Sequence, residues 1–174
     1  MRLAAIDIGS NAARLLISDV SHHENKPQFQ KINLVRVPLR LGFDVFVQKM
    51  ITAEREEMIH NTIKAYKLLM DVYEVKHWKA AATSAMRDAS NAREVIDRVQ
   101  KETGIAIQVI SGDTEATLVY ENHIAENMDK NHTYLYIDVG GGSTEITFFG
   151  AGKLLFKRSF NIGTIRVLKN MVDE

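Results

Sequence analysis

The sequence predicts an α/β protein with two related domains facing each other across a cleft. A strand–turn–strand pattern occurs twice in register, and the chain between the copies alternates strands with helices. The second copy, Tyr134 to Phe149 (YLYIDVGGGSTEITFF), is the more informative. An apolar, β-branched strand carries Asp138, and Gly140, Gly141 and Gly142 turn the chain sharply. Glycines reach backbone conformations closed to other residues, so a tight turn is expected there. Ser143 and Thr144 put hydroxyls beside the turn, and Ile146, Phe148 and Phe149 resume a strand. Bare N–H groups flanked by hydroxyls make an anion cradle. Asp138 and Glu145 bracket it. Carboxylates beside a phosphate repel it unless a hard cation lies between, and Mg²⁺ suits that arrangement.

The first copy is Leu3 to Ile17 (LAAIDIGSNAARLLI). Placing Asp7 on Asp138 aligns Ile6 with Ile137, Ile8 with Val139 and Gly9 with Gly140; Ser10 and Asn11 then fall on the second and third glycines. One Asp-x-Gly is weak; two in register indicate a pair of turns able to hold one polyanion.

From the N-terminus, Arg2 to Gly9 reads as a buried strand, Ala12 to Val20 as its partner and Gln28 to Leu39 as a third antiparallel strand, with Ser21 to Pro27 a surface turn. His22 and His23 are adjacent in an extended segment, so their side chains point apart and make a poor metal pair. Arg36 to Phe46 (RVPLRLGFDVF) reads as a loop. Arg36 and Arg40 could offer guanidinium groups to phosphate or be merely solvated.

Thr52 is placed to cap a helix running to about Tyr73, with Ile59, Ile63, Tyr66, Leu69, Met70 and Tyr73 on its buried face and His60 off that face in solvent. Trp78 to Thr83 is a short strand leading into Thr83-Ser84-Ala85-Met86-Arg87-Asp88, and ligand sites in α/β sheets collect at such strand ends. Asn91 is placed to cap the next helix, with Glu94 completing a capping box and Gly104 ending it. Ile105 to Ile110 is a strand, and Ser111 to Tyr120 starts another helix. Its buried stripe is Ala116, Val119, Tyr120, His123 and Ile124. Glu115 lies in its first turn, where the helix dipole favours the ionised carboxylate. There it could activate a water, or serve only the dipole. Glu126 to His132 is polar and marks the expected domain boundary, dividing residues 1–126 from 127–174. Lys153 to Phe160 reads as a third antiparallel strand, and Gly163-Thr164 opens a helix reaching Val172.

Composition bounds the function. Lys plus Arg equals Asp plus Glu at 22 each, so bulk charge gives no argument for nucleic acid. No cysteine is present, which excludes disulfides and thiolate metal sites and fits a cytoplasmic setting. No apolar run reaches the length of a membrane span.

Taken together, AAIDIGSNAARLLI, RLGFDVF, AATSAMRDASN, IQVISGDTEATLVY, YIDVGGGSTE and SFNIGTIRV resemble the exopolyphosphatase / guanosine pentaphosphate phosphohydrolase family, in its order and spacing. The resemblance implies the ribonuclease H-like fold of the actin, heat-shock ATPase and sugar-kinase superfamily. It implies Glu115 as the catalytic glutamate and Asp138 and Glu145 as divalent-metal carboxylates, with Asp7 their first-domain counterpart. Gly9, Ser10 and Asn11 match the first phosphate loop, and Gly140, Gly141, Gly142 and Ser143, with Thr144 beside them, the second. Thr83, Ser84 and Arg87 match a segment that helps grip the polyanion. The implied reaction is metal-assisted removal of terminal phosphate from polyphosphate, or of the 5′ γ-phosphate from guanosine pentaphosphate. Mg²⁺ is the expected cation, with Mn²⁺ and K⁺ left open. A kinase or ATPase of the same superfamily and a non-catalytic sensor of guanosine tetraphosphate or polyphosphate are the competing classes.

Ala12 stands where the family usually has a hydroxyl, Asp113-Thr114 precede a single Glu115 where it has an acidic run, and Phe43 stands where it often has an acidic residue. At 174 residues the chain is about half the family's length, so the second domain is expected to be truncated. Exposed apolar surface on such a remnant should drive association, a homodimer included.

Overall fold

The computed structural model describes residues 1–23, 26–119, 129, 131–151 and 153–172. Two compact units divide the chain, Met1–Val109 and Ile110–Glu174. Most of the boundary expected from sequence, around residue 126, lies outside the described residues.

Unit 1 is a five-stranded sheet in the order β3-β2-β1-β4-β5. Its strands are β1 (Arg2–Ile8), β2 (Ala13–His23), β3 (Lys26–Val37), β4 (His77–Ala82) and β5 (Ile107–Val109). β1, β2 and β3 are antiparallel neighbours, while β1–β4 and β4–β5 are parallel. The helices are α1 (Leu41–Gln48), α2 (Ala53–Val72), α3 (Ser84–Asp88) and α4 (Ala92–Thr103). Alternation decides which face is buried: Ile6 lies opposite Leu15, and both are buried with Ile8 and Ile17. The matching stripe on α2, Ile59, Ile63, Tyr66 and Met70, is buried as the spacing predicts. Each such side chain contributes roughly 1.5–3 kcal/mol.

Tyr66 also ties α2 to the sheet. Its hydroxyl donates to the carbonyl of Ala13, 3.0 Å away, and lies 3.4 Å from that of Val35. Burial pushes the phenol from 10 up to about 12. The folded state therefore holds this proton more tightly than the unfolded chain. Its contribution is complete below about pH 10 and is lost as pH rises through about 12. In alkaline unfolding titrations, wild type should lose stability in that window. Tyr66→Phe should lack that component and start about 1 kcal/mol less stable.

The structure departs from the sequence reading at several places. β2 and β3 continue through the supposed turn, pairing His22 with Pro27 and His23 with Lys26 in a longer hairpin. The supposed loop from Arg36 to Phe46 is the end of β3 followed by α1, which forms because Leu41, Val45 and Phe46 are buried together. Thr52 stands at the start of α2, but its hydroxyl donates to Asp44 and makes no cap bond. Asn91 stands at the start of α4, but its amide joins the N–H and C=O of Ile51, linking the starts of two helices. His60 is not solvated: it is 2% exposed, and Nε2 lies 2.7 Å from Glu102 Oε2 on α4, which packs against α2. Gly104 ends α4 in the left-handed conformation as expected.

Unit 2 holds α5 (Gly112–Val119), β6 (Tyr134–Val139), β7 (Thr144–Gly150), β8 (Lys153–Phe160) and α6 (Thr164–Leu168). β6, β7 and β8 form an antiparallel sheet in that order, repeating the arrangement of β1, β2 and β3. α5 packs against β7 and β8, which is why Glu115 belongs to this unit. Lys157 on β8 donates to the Thr117 hydroxyl, fixing the helix on the sheet. The opposite face carries Leu135, Ile137, Val139, Phe148 and Phe156, all exposed. α6 stops at Leu168, short of the expected Val172, and Asn170 beyond it is left-handed. Of the stripe expected on α5, Ala116 is buried; Tyr120, His123 and Ile124 lie outside the described residues, as does the side chain of Val119.

Candidate active site

Each hairpin turn is closed by one hydrogen bond at the same place. Gly9 N–H donates to Ala12 O at 3.0 Å, and Gly140 N–H to Ser143 O at 2.9 Å. The strand registers match too, with Ile8 opposite Ala13 and Val139 opposite Thr144. The sequence alignment of Asp7 with Asp138 is therefore also the structural one, and Ala12 takes the place of Ser143. Both are buried, so the hydroxyl missing at Ala12 is missing from an enclosed turn.

The helix after the third strand then pulls the turn carbonyls back. In unit 1, Gly42 N–H on α1 donates to Ser10 O and Arg40 N–H to Asn11 O, each at 2.8 Å. In unit 2, Thr164 N–H donates to Gly140 O, Ile165 N–H to Gly141 O, and Arg166 Nε to Gly142 O. The carbonyls are thereby occupied. The N–H groups of Gly141, Gly142 and Ser143, and of Ser10, Asn11 and Ala12, make no such bond among the described residues. Runs of N–H groups left in this way form anion-binding concavities.

The reason for the glycines differs from the sequence reading. Among the described residues only Gly104 is a glycine with positive φ, so Gly140, Gly141 and Gly142 are not there for a left-handed turn. Space is what the turn requires: a Cβ on Gly140 would sit 3.1 Å from Ser143 O, and one on Gly163, packed beside the turn, 2.4 Å from Gly141 O and 2.5 Å from Gly142 N.

β4 delivers the Thr83–Arg87 segment to the first turn. Thr83 N–H donates to Ile8 O, and the buried hydroxyls of Ser84 and Ser10 lie 2.7 Å apart. Thr83 and Ser84 are buried at the start of α3, and Arg87 is half-buried in its last turn. Sequence reasoning named these residues but not their bond to the first loop, which depends on β1 and β4 being parallel neighbours.

The carboxylates separate into two environments. Asp138 lies directly opposite Glu145 across β6 and β7. Glu145 is 2% exposed and accepts a 2.7 Å hydrogen bond from Ser159 Oγ. Facing like charges destabilise a sheet, and a hard cation between them removes that cost. Two carboxylates, completed by phosphate oxygens and water, fit Mg²⁺. No group of three or more His, Asp or Glu side chains suited to a metal occurs among the described residues. Asp7 differs: its cross-strand partner is Arg14, whose Nη1 donates to Asp7 Oδ2 at 2.9 Å.

Glu115 lies half-buried in the first turn of α5. Ser111 caps this helix, its Oγ accepting from Thr114 N–H at 3.1 Å and its carbonyl from Glu115 N–H at 2.9 Å. Lys157, which holds α5, stands opposite Thr147, two residues along β7 from Glu145. α5 thus covers the sheet face that bears Asp138 and Glu145. By contrast, a depression of about 480 Å³ on α2 is lined partly by Glu54 and Glu57 and would repel a polyanion. No helix among the described residues is long and apolar enough to cross a membrane.

Comparison with known proteins agrees with this geometry. The chain is 36% identical over 94% of its length to a bifunctional 3-dehydroquinate synthase/phosphatase from Fusobacterium nucleatum, covering 25% of that protein. It is 31% identical over 84% of its length to exopolyphosphatase 1 of Mycobacterium tuberculosis, covering 42% of it. The crystal structure of an exopolyphosphatase from Cytophaga hutchinsonii superposes with a TM-score of 0.87 at 32% identity, over 98% of this chain and 53% of that one. The chain therefore spans about half or less of these relatives, and its fold is the ribonuclease H-like fold of the actin-like ATPases. The Ppx/GppA phosphatase family pattern matches residues 16–174, and with the paired turns and their carboxylates in place the chain belongs to the Ppx/GppA phosphatase family.

Proposed function

We propose that this chain supplies the catalytic machinery of a phosphohydrolase that releases terminal orthophosphate from inorganic polyphosphate, or the 5′ γ-phosphate from guanosine pentaphosphate. The observation that supports it most is the tied-back turn. With the carbonyls of Gly140, Gly141 and Gly142 bonded to α6, the neighbouring N–H groups are left for phosphoryl oxygens. The Gly9-Ser10-Asn11 turn repeats the arrangement, and Thr83, Ser84 and Arg87 extend it. Thr144 is committed elsewhere, its hydroxyl donating to Ile162 O.

In the reaction, Glu115 takes a proton from a water as its oxygen attacks the terminal phosphorus. The P–O bond to the next phosphate breaks, and the electron pair leaves on the bridging oxygen. Asp138 and Glu145 would hold Mg²⁺, which when bound neutralises phosphoryl oxygens without taking a proton. The protein's share is positioning and charge compensation, the main sources of catalysis in phosphoryl transfer.

The test is orthophosphate release from long-chain polyphosphate and from guanosine pentaphosphate, with Mg²⁺ and with chelator. It should be run on this chain and on a version completed to the length of its relatives. Mg²⁺-dependent release is expected. Tight binding of either compound without release from either protein would replace this reading with the sensor, and release only in the presence of a phosphoryl acceptor would replace it with the kinase.

A further inference from the structure

Three bonds tie the second turn back, and the third differs in kind. Thr164 and Ile165 hold the carbonyls of Gly140 and Gly141 through backbone N–H groups, whereas Gly142 O is held by a side chain, Arg166 Nε at 2.7 Å. In the first turn the residue aligned with Gly142 is Asn11, and its carbonyl is held by the backbone N–H of Arg40. Arg166 is 7% exposed, so its bond to the turn is enclosed.

A trans peptide unit is planar, and its C=O and N–H point in opposite directions. The Gly142 carbonyl and the Ser143 N–H belong to one such unit. Holding the carbonyl toward Arg166 therefore turns the Ser143 N–H the other way. That N–H makes no backbone bond among the described residues, although Ser143 is only 3% exposed. Glycine restricts its own backbone little, so this peptide could flip about Gly142 and present its carbonyl to an anion instead. A guanidinium on the carbonyl opposes the flip. By polarising the peptide it also makes the Ser143 N–H a stronger donor.

We infer that Arg166 is a positioning residue that holds the Gly142–Ser143 peptide so that the Ser143 N–H faces a phosphoryl oxygen. Arg166 acts through the peptide and not on the anion. The role rests on the functional reading above and deepens it, naming one donor of the second turn and the side chain that aims it.

The full chain, Arg166→Met and Arg166→Lys are each titrated with orthophosphate while the amide protons of Gly141, Gly142 and Ser143 are followed by NMR. Orthophosphate release from polyphosphate is measured in parallel on separate samples. Arg166→Met keeps an apolar stem and removes the donor; Arg166→Lys keeps a charged donor without the fork. In wild type all three amide protons should move downfield as phosphate binds. In Arg166→Met the Ser143 response should be lost while those of Gly141 and Gly142 persist, with affinity about tenfold weaker, as for one lost hydrogen bond. Arg166→Lys should recover part of both. Responses and affinity in Arg166→Met equal to wild type overturn the inference. Equal loss of all three responses in both variants also overturns it, making Arg166 a packing residue. So does a wild type in which Gly141 and Gly142 respond and Ser143 stays silent, which decides the matter even where Arg166→Met does not fold. In that case release by wild type leaves the hydrolase reading standing. A Ser143 response that depends on Arg166, without release, keeps the role and removes the hydrolase. No response at any of the three amides removes both the role and the cradle.

Discussion

Replacing Glu115 by Gln should lower the turnover of polyphosphate by about 10²–10⁴-fold, the range general-base catalysis supplies, while leaving its affinity near that of wild type. The substitution keeps the shape of the side chain and removes only its capacity to take a proton. The surroundings argue that the backbone will not move. Ser111 caps α5 through Thr114, and Lys157 pins the helix through Thr117 and, at 3.5 Å, the Asp113 carbonyl. Rapid mixing of excess protein with labelled polyphosphate separates the chemical step from release, and equilibrium binding reports affinity independently. A Glu115→Gln protein that hydrolyses at the wild-type rate would return this residue to a helix-dipole role. One that loses binding in equal measure would make it a structural anchor of α5.

The second large effect should come from Gly163→Ala, a change of one methyl group outside any reacting residue. The new Cβ would meet Gly141 O at 2.4 Å and Gly142 N at 2.5 Å. Both contacts are backbone, so no side chain can swing away. Either the turn or α6 must shift, breaking the bonds that tie the carbonyls of Gly140 and Gly141 to Thr164 and Ile165. A cost of about 3 kcal/mol is expected for overpacking against a rigid neighbour. Thermal unfolding should show a fall of roughly 6–12 °C for a chain of this size, with weakened orthophosphate binding beside it. A variant with unchanged stability and binding would show that the turn yields freely and that its backbone geometry is not the cradle.

The exposed face of the second sheet, from Leu135 to Phe156, bears on the association expected from sequence. Its apolar residues come from three strands at alternate positions, so they form one surface.

The duplicated hairpin, the Asp-x-Gly turns and the ends of most strands were legible in the sequence because they are local: alternation, small residues and turn composition act within a few positions. The same holds for Gly104 as a helix stop and for the apolar stripe of α2. The buried place of His60, the redirected side chains of Thr52 and Asn91, and the helix at Leu41–Gln48 were not legible. Each depends on a partner that the fold brings from elsewhere: Glu102 on α4, Asp44 on α1, the Ile51 backbone, and the first turn held by Gly42. The site divides in the same way. Sequence named Asp138, Glu145 and both turns as candidates from residue type and spacing, and Asp7 and Glu115 took their candidate roles from the family resemblance. Only strand register set Glu145 against Asp138 but Arg14 against Asp7, and only packing laid α5 on the sheet face that bears the paired carboxylates. Those choices set two carboxylates face to face in one hairpin and an ion pair in the other, and they rest on contacts between segments that no local pattern links.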